Sequence, residues 1–449
     1  MGGCVKTMRP EVQAVAMRRG ARLEVFARSA TDRIAQTCPV PGVLGRLRAA
    51  GAASFNAAQL PHAKTESWKY SRIGPLLEQG LLDRAPGAGD FAAAPIPGLE
   101  ALSLLVLDGV PQKPPARVPG VSVTAFSALN DMQAAAAGKH LGRLAAMDAR
   151  PFVALNAALL EDGLLIEVAP GAEVALPIEL LLAQSAGAAP HGAHPRILMI
   201  LGRGARATMV ERHLGAGMVF TNSVVEIVLE EGAQLDHLRL GLAAGQGRWL
   251  GALDVELGRD ARYNLWQAQR GAVLRRNEVG IRLAGEGAEV TVGGAGLTRN
   301  DEHLDNQFCV EHQTPRGTSR QVFRSIAGEA SRGILNGRIH IHRGAQKTDA
   351  QLHTKNLLLS DRAEIDVKPE LEIYADDVKC AHGATLGQLD ANALFYLRSR
   401  GVDEDAARAM LSFAFLAEIV DAFPVAAVRD ALRPALAEAF AAPAIKESP

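Results

Sequence analysis

The spacing of apolar positions changes twice along the chain, which divides the sequence into three regions. Between residues 11 and 50 these positions follow one helix face, interrupted at Pro39 and Pro41. From about residue 102 they form short aliphatic runs separated by glycine-containing corners, and helical spacing returns after residue 390. The runs cover residues 103–107, 164–168, 197–201, 224–229, 278–283, 339–342 and 364–367. We therefore predict an N-terminal helical region over residues 1–100, a β core over 101–385 and a C-terminal helical region over 386–449.

The corners between these runs recur at a nearly constant interval. A small residue, usually after glycine, precedes a run at positions 33, 28, 28, 27, 30 and 27 residues apart: Ala172, Ala205, Ala233, Ala261, Ala288, Thr318 and Ala345. A corner at Ala363 follows after only 18 residues, which predicts that the repeat ends there. A constant period predicts a solenoid whose coils bury their apolar sides against each other, so we predict a mainly β fold, a parallel β-helix. An antiparallel sandwich is the disfavoured alternative, because its turns would not keep this period.

The composition of the chain limits which partners it can bind and in which cellular compartment it is found. Lys and Arg number 48 against 49 Asp and Glu, so no global field is available to hold nucleic acid or an anionic membrane. We find no apolar run as long as a membrane span and no signal-peptide pattern at the N-terminus. The four cysteines, Cys4, Cys38, Cys309 and Cys380, form no CxxC motif and indicate a reducing compartment. We expect a cytoplasmic protein, with an organellar form whose transit peptide has been removed as the alternative, and translation starting at Met1, Met8 or Met17.

Catalytic motifs are missing from the sequence, so we predict that the chain is not an enzyme. There is no Walker A motif, no GxGxxG opening a strand–helix unit, no GxSxG and no HExxH. A β-helix enzyme acting on carbohydrate would need clustered carboxylates, whereas Asp376 and Asp377 are strand neighbours that point to opposite faces. His340 and His342 share one strand face and have metal-ligand spacing, but a solvated face is the favoured interpretation.

Cys380 and His382 form the one constellation with stronger chemical meaning. We predict that they lie on a short loop after a strand that ends near Tyr374, with Lys379 helping to lower the thiol pKa. Thiolate and imidazole are ligands that iron and iron–sulfur clusters accept, but two ligands cannot complete a site. On spacing alone, a buried structural cysteine beside a hydrogen-bonded histidine is the favoured interpretation. Cys38 and Cys309 match no motif and are interpreted as structural.

Two stretches of sequence carry a resemblance to a known family. One covers residues 347–420 and contains KPELEIYADDVKCAHGAT, a phrase long enough to be highly specific. The other, AKTESWKYSRIGPL, contains a K-x-E-x-W-[KR]-Y-[ST] signature formed by Lys64, Glu66, Trp68, Lys69, Tyr70 and Ser71. With these phrases the chain resembles the SufD family, subunits of the SUF iron–sulfur cluster assembly system.

The resemblance implies a fold, partners and a site. The family fold is a right-handed parallel β-helix between helical regions, in a complex with the paralogous SufB and the ABC-type ATPase SufC. SufB is expected at the last coils, near residues 347–385, with the nascent iron–sulfur cluster at the interface on Cys380 and His382. His382 is the stronger candidate ligand. SufC is expected at residues 392–420, where the partner-binding candidates are Phe395, Tyr396, Leu397, Arg398, Arg400, Met410 and Phe413.

The resemblance also implies cofactors and leaves alternatives open. ATP would act only through SufC, and reduced flavin belongs to the family's complex although no flavin motif is visible. Gly383 follows the histidine where SufB proteins carry an acidic residue, which favours a SufD over a SufB-like paralogue. A purely structural partner without ligands of its own is the other alternative. The isolated chain is expected to form a homodimer through its SufB-facing edge.

Overall fold

The structure, a computed structural model, describes residues 10–441 apart from 63, 72, 85–90, 113–117, 186–188, 216 and 244. Cys4 and Met8 therefore lie outside the described residues, as do residues 442–449. The predicted N-terminal helices are confirmed as α1 (Pro10–Ala35) and α2 (Gly42–Ala57), and the break between them contains both prolines. The buried side chains Phe26, Leu44 and Leu47 lie on the apolar faces of these helices.

Most of the chain is a parallel β-solenoid of about eight turns, which confirms the predicted fold class. It is built from two sheets, which we call the front sheet and the back sheet. The front sheet contains, in spatial order, β2 (Val110–Pro111), β1 (Leu102–Leu107), β5 (Ile178–Ala183), β8 (Arg206–Leu214), β10 (Gln234–Gly241), β12 (Arg262–Arg270), β14 (Glu289–Thr298), β16 (Thr318–Ala327), β18 (Asp349–Leu358) and β20 (Lys379–Gly387). The back sheet contains β19 (Glu364–Ile373), β17 (Arg332–Ile341), β15 (His303–His312), β13 (Leu274–Leu283), β11 (Arg248–Leu257), β9 (Val219–Leu229), β7 (Arg196–Leu201), β4 (Leu164–Val168) and β3 (Val121–Ala125), with β6 (His191–Ala193) beside β9.

The corners keep the coils in register for a stereochemical reason. Gly204, Gly232 and Gly287 have φ near +70°, a left-handed conformation that glycine adopts without strain. The alanine that follows each of them is fully buried between the sheets, where a larger side chain would not fit. The prediction that the repeat ends at the Ala363 corner is wrong. This corner leads into β19 of the back sheet, and β20 follows. It belongs to the opposite edge of the solenoid, which explains the shorter gap.

The early part of the solenoid contains helices that the sequence analysis did not predict. Between β3 and β4 lie α3 (Asp131–Ala137) and α4 (Pro151–Leu159). All nine residues of α4 are buried, so its apolar run has no amphipathic period from which a helix could be recognised. The pairs β1–β2 and β3–β4 are antiparallel, whereas the pairs of successive coils are parallel.

Helices cover the outer face of each sheet and leave one end of the solenoid open. The N-terminal helices and α4 pack on the outer face of the back sheet around Phe220 and Leu250. The C-terminal helices α6 (Glu404–Val420) and α7 (Ala426–Ala441) pack on the front sheet, where Trp266 meets Phe423 at a ring-centroid distance of 6.0 Å. Among the described residues, no helix is both long and apolar enough to cross a membrane.

Candidate functional site at the open end of the solenoid

The last coil is the least covered part of the solenoid. Strands β19 and β20 end the two sheets, and each pairs with only one neighbouring strand among the described residues. All residues of β9, in the middle of the back sheet, are buried, whereas no residue of β19 or β20 is buried. The last coil therefore has two free strand edges, and the unpaired backbone groups of such edges commonly pair with another chain.

Cys380 and His382 lie on β20 and not on a loop, which corrects the prediction. The strand continues the front sheet, so Cys380 pairs with Ala350 and His382 with Leu352. Ala350 and Leu352 are buried between the sheets, and residues two apart on a strand share a face. The thiol and the imidazole therefore both belong to the inner face of the solenoid, where its open end leaves them accessible.

The two side chains differ in exposure. Cys380 is half-buried and packs against the apolar interior, whereas His382 is exposed. Burial raises the pKa of the Cys380 thiol, and the nearby Asp349 carboxylate raises it further, while a backbone hydrogen bond at Ala350 opposes both effects. The prediction that Lys379 lowers this pKa is therefore wrong. The raised pKa favours the protonated thiol, so binding of a metal would have to release its proton.

The ligand set on this end is incomplete. Within the described ranges, no three or more His, Cys, Asp or Glu side chains are grouped so that they could hold a metal ion. His340 and His342 have ring centroids 4.4 Å apart, but His340 Nδ1 lies 2.7 Å from Glu372 Oε2 and is hydrogen-bonded to it. That pair holds the pKa of Glu372 below its usual value, chiefly through the hydrogen bond. Cys380 and His382 alone therefore do not form a complete metal site within these ranges.

Exposed apolar side chains continue from the last coil onto the following helix. Helix α5 (Ala391–Ser399) has no buried residue, and Phe395 and Tyr396 are 73% and 57% exposed. Asp390 caps this helix by accepting hydrogen bonds from Asn392 N and Ala393 N. Before the helix, Tyr374 and Leu386 of the last coil are also exposed. Exposed aromatic side chains on a short helix are typical of a surface that another protein covers.

Of the other predicted partner-binding residues, some are exposed on this surface and some are half-buried beneath it. Arg398 and Arg400 are exposed, and the Arg400 guanidinium lies 5.1 Å from the Tyr396 ring centroid. Met410 on α6 is 52% exposed. Leu397 is half-buried, and Phe413 is half-buried against the apolar layer under the C-terminal helices.

The Trp-Lys-Tyr-Ser signature anchors the N-terminal region to the back sheet. Trp68 is buried against Phe152, with ring centroids 5.4 Å apart, and the Arg276 guanidinium lies 4.2 Å from its ring. Ser71 donates a hydrogen bond to Asp305, the carboxylate that also pairs with Arg276. Sequence reasoning recognised this phrase as a signature but missed its partners, because they lie more than 80 residues away.

A groove beside Trp68 was not predicted. It has a volume of about 760 Å³ on the outer face of the back sheet. Its charged groups are largely paired: Arg150 with Asp254 at 2.7 Å, for example, and Lys368 with Glu370 at 2.6 Å. Because cations and carboxylates alternate along it, the groove has no single sign of charge with which to select a ligand. The alternation of Arg and Glu on successive strands was the feature of the sequence from which this groove could have been predicted.

The remaining cysteines have separate environments. Cys309 lines the groove, and Arg338 Nε and Nη2 both lie 3.4 Å from its Sγ. Burial is the largest influence on this thiol and raises its pKa, although Arg338 opposes the effect. Cys38 is exposed after α1, so it does not have the buried environment expected of a structural cysteine.

Comparison with known proteins places this architecture in one family. The model of the SUF system FeS cluster assembly SufBD core domain matches residues 182–415, and that of the SufBD N-terminal region matches residues 23–180. Iron–sulfur cluster assembly protein SufD of Escherichia coli is 31% identical over 81% of this chain and 85% of its own length. A SufBD family protein of Synechocystis is 28% identical over 87% and 90%, and SufD of Bacillus subtilis is 24% identical over 64% and 66%. The chain therefore belongs to the SufBD family of the SUF iron–sulfur cluster assembly system, and within it to the SufD type.

Proposed function

We propose that the chain is a non-catalytic scaffold subunit that pairs its last coil with SufB and shares a nascent iron–sulfur cluster with it. The carrying observation is that Cys380 and His382 lie together on the inner face of an open coil, without a third ligand among the described residues. An iron–sulfur cluster takes about four protein ligands, so the partner supplies the rest. The cluster is the cargo of this assembly and not a resident cofactor.

The open edges of β19 and β20 support a β-helix as the partner. Both strands carry backbone donors and acceptors that another strand can satisfy, and their half-buried and exposed side chains become buried on pairing. Ile373 ends one strand and Tyr374 follows it, and Leu386 lies near the end of the other strand. Without SufB, the same edges would pair two copies of this chain, so we propose a homodimer for the isolated subunit.

The C-terminal helices are proposed as the docking site for the ATPase SufC. Phe395 and Tyr396 supply aromatic anchors, and Arg398 and Arg400 surround them with positive charge. Because α5 follows directly after β20, a movement of α5 would act on the strand that carries Cys380 and His382. ATP would thus act on the site only through SufC, and any reduced flavin would belong to the assembled complex. We propose the cytoplasm as its location.

The test compares cluster assembly by complexes that differ at one histidine. The chain is co-expressed with its SufB and SufC homologues and purified anaerobically, and bound iron and acid-labile sulfide are measured. His382→Ala is expected to keep the complex but lose most of the cluster. His353→Ala is the matched control. His353 is exposed on the neighbouring strand β18 and follows Leu352, the residue that pairs with His382. Neighbouring residues on a strand point to opposite faces, so His353 lies on the other face of the sheet from His382.

Two outcomes would overturn parts of the proposal. If the chain does not co-purify with SufB and SufC, the scaffold assignment is wrong. If His382→Ala and Cys380→Ser complexes assemble as much cluster as the wild type, the chain is a purely structural partner and the ligands belong to SufB.

A further inference from the structure

The two free edges of the last coil are not equivalent. In a parallel ladder, alternate residues of a strand direct their N–H and C=O groups to one neighbour, and the residues between them direct theirs to the other side. Glu364 N donates to Ser331 O at 3.1 Å, and Tyr374 N donates to Ile341 O at 2.9 Å. The even-numbered residues of β19 therefore pair with β17, and the odd-numbered residues direct their backbone groups to the free edge.

Pro369 removes a donor from the middle of the β19 edge. It is an odd-numbered residue in register with Gly337, so its nitrogen lies on the free side, and proline has no N–H to offer there. Two shorter stretches of the edge remain, around Val367 and around Leu371. Among the described strands, proline otherwise occurs only in β2, which ends the front sheet. Proline in an end strand keeps a sheet edge from pairing with another chain.

The β20 edge is uninterrupted. Lys379 N donates to Thr348 O at 2.8 Å, so the odd-numbered residues of β20 pair with β18. Its even-numbered residues direct their N–H and C=O groups to the free edge, and none of them is proline: Cys380, His382, Ala384 and Leu386. Such a continuous row of donors and acceptors fits a strand from another chain.

The blocked point of the β19 edge lies opposite the candidate ligand on β20. Leu352 of β18 faces Gly337 of β17 across the interior, because a Cβ added at Gly337 would collide with Leu352 Cδ1. One strand further along each sheet, Leu352 is in register with His382, and Gly337 is in register with Pro369. His382 and Pro369 therefore face each other in the open coil.

We propose that Pro369 restricts strand pairing at the open end to the β20 edge, so that the last strand of the partner pairs along residues 380–386 and the coil stays open beside Pro369, opposite His382. This inference rests on the proposed pairing with SufB. Strands paired along both edges would continue both sheets and close the coil over His382. Pro369 is thus a positioning residue, which preserves the space for the cluster by keeping the partner off β19.

Hydrogen exchange resolved to single amides tests which edge is paired. The complex of the chain with its SufB and SufC homologues is exchanged, and peptides from both strands are fragmented by electron transfer. The amides of residues 380, 382, 384 and 386 should exchange roughly a hundredfold more slowly than those of residues 365, 367, 371 and 373. Equal protection of both edges would overturn the role of Pro369, while the scaffold proposal would stand, because the complex had formed.

Substitutions at each edge give the same test a second readout. Pro369→Ala supplies the missing N–H, so it should slow exchange along β19 in the complex. In the isolated chain it should tighten self-association roughly tenfold in sedimentation equilibrium, by about the value of one or two added hydrogen bonds. Val367→Ala is the control, because it removes an apolar side chain on the same face of β19 and keeps its N–H.

The β20 edge has a matched pair of variants at one exposed position. Ala384→Pro removes an N–H that faces the free edge, so it should weaken binding of the SufB homologue roughly tenfold, whereas Ala384→Ser keeps the N–H and the affinity. If no complex with SufB forms, the scaffold assignment is wrong, and self-association of Pro369→Ala alone decides the role of Pro369. Self-association equal to that of the wild type would overturn it.

Discussion

Replacing Trp68 with alanine tests whether the N-terminal signature is an anchor. The side chain is 6% exposed and lies between Phe152 and the Arg276 guanidinium. Its removal leaves Arg276 paired with Glu278 and Asp305, so no charge is orphaned. The expected loss is therefore one of packing and of the cation–π contact alone.

The magnitude follows from these contacts. Truncating a buried tryptophan to alanine costs about 3–5 kcal/mol, a range that includes the roughly 1–2 kcal/mol of a desolvated cation–π contact. Because each 1.4 kcal/mol is a factor of ten, we expect the segment around residues 59–77 to open roughly a hundredfold to a few thousandfold more often. Trp68 lies on the outer face of the back sheet, so the side chains that fill the interior of the coils from β10 to β18 do not contact it. These coils should keep their stability.

Hydrogen exchange with mass spectrometry measures this opening peptide by peptide. Protection should fall over residues 59–77 and over α4, and it should stay unchanged in the interior strands. Trp68→Phe should recover part of the loss by keeping a ring against Phe152. Tyr70→Ala is the control, because Tyr70 is only half-buried. Unchanged protection over residues 59–77 in Trp68→Ala would refute the anchoring role.

Three further predictions concern burial and backbone geometry. His194 has no hydrogen-bond partner for either ring nitrogen among the described residues, and burial lowers its pKa to about 3. The neutral ring therefore contributes fully to the stability of the folded chain above pH ~6.5, and this contribution is lost as the pH falls toward 3. His194→Leu should therefore flatten the fall in unfolding free energy between pH ~6.5 and 4 by up to ~1.4 kcal/mol per pH unit in urea titrations, and an unchanged slope would contradict this. Gly232→Ala, at φ +67°, should cost about 1–2 kcal/mol in the same titrations, whereas Gly344→Ala, in open space without a positive φ, should cost far less. Iodoacetamide should modify the exposed Cys38 roughly tenfold or more faster than Cys309 and Cys380, whose pKa values burial raises, and equal rates in peptide mass spectra would contradict the burial argument.

The regular part of the fold is predictable because its repeat has a local cause. A left-handed residue followed by a buried alanine recurs at the corners of Ala205, Ala233, Ala261 and Ala288, so the period can be read from the sequence. Asp260 adopts the same conformation with φ +51°, which shows that the corner tolerates a departure from glycine. Helix α4 could not be predicted, since burial on all sides removes the polar face that marks a helix.

The candidate site was predictable only in part. Cys380 and His382 could be singled out because their residue types are metal ligands, but their strand was mistaken for a loop. Lys379, Ala381 and His382 are exposed at the end of the solenoid, and the mixed polar pattern of an uncovered strand resembles that of a loop. The buried position of Glu211 and His213 on β8 could not be predicted, because alternating polar residues on a strand commonly face solvent.

The measurement that tests the central claim most directly is the hyperfine coupling of histidine nitrogen to the reduced cluster. The chain is labelled with ¹⁵N-histidine, combined anaerobically with unlabelled SufB and SufC homologues, and examined by pulsed electron–nuclear double resonance. We predict a strong ¹⁵N coupling that disappears in labelled His382→Ala and persists in labelled His353→Ala. A cluster that forms with no ¹⁵N coupling from this chain would contradict the account, because its ligands would then belong to the partner alone.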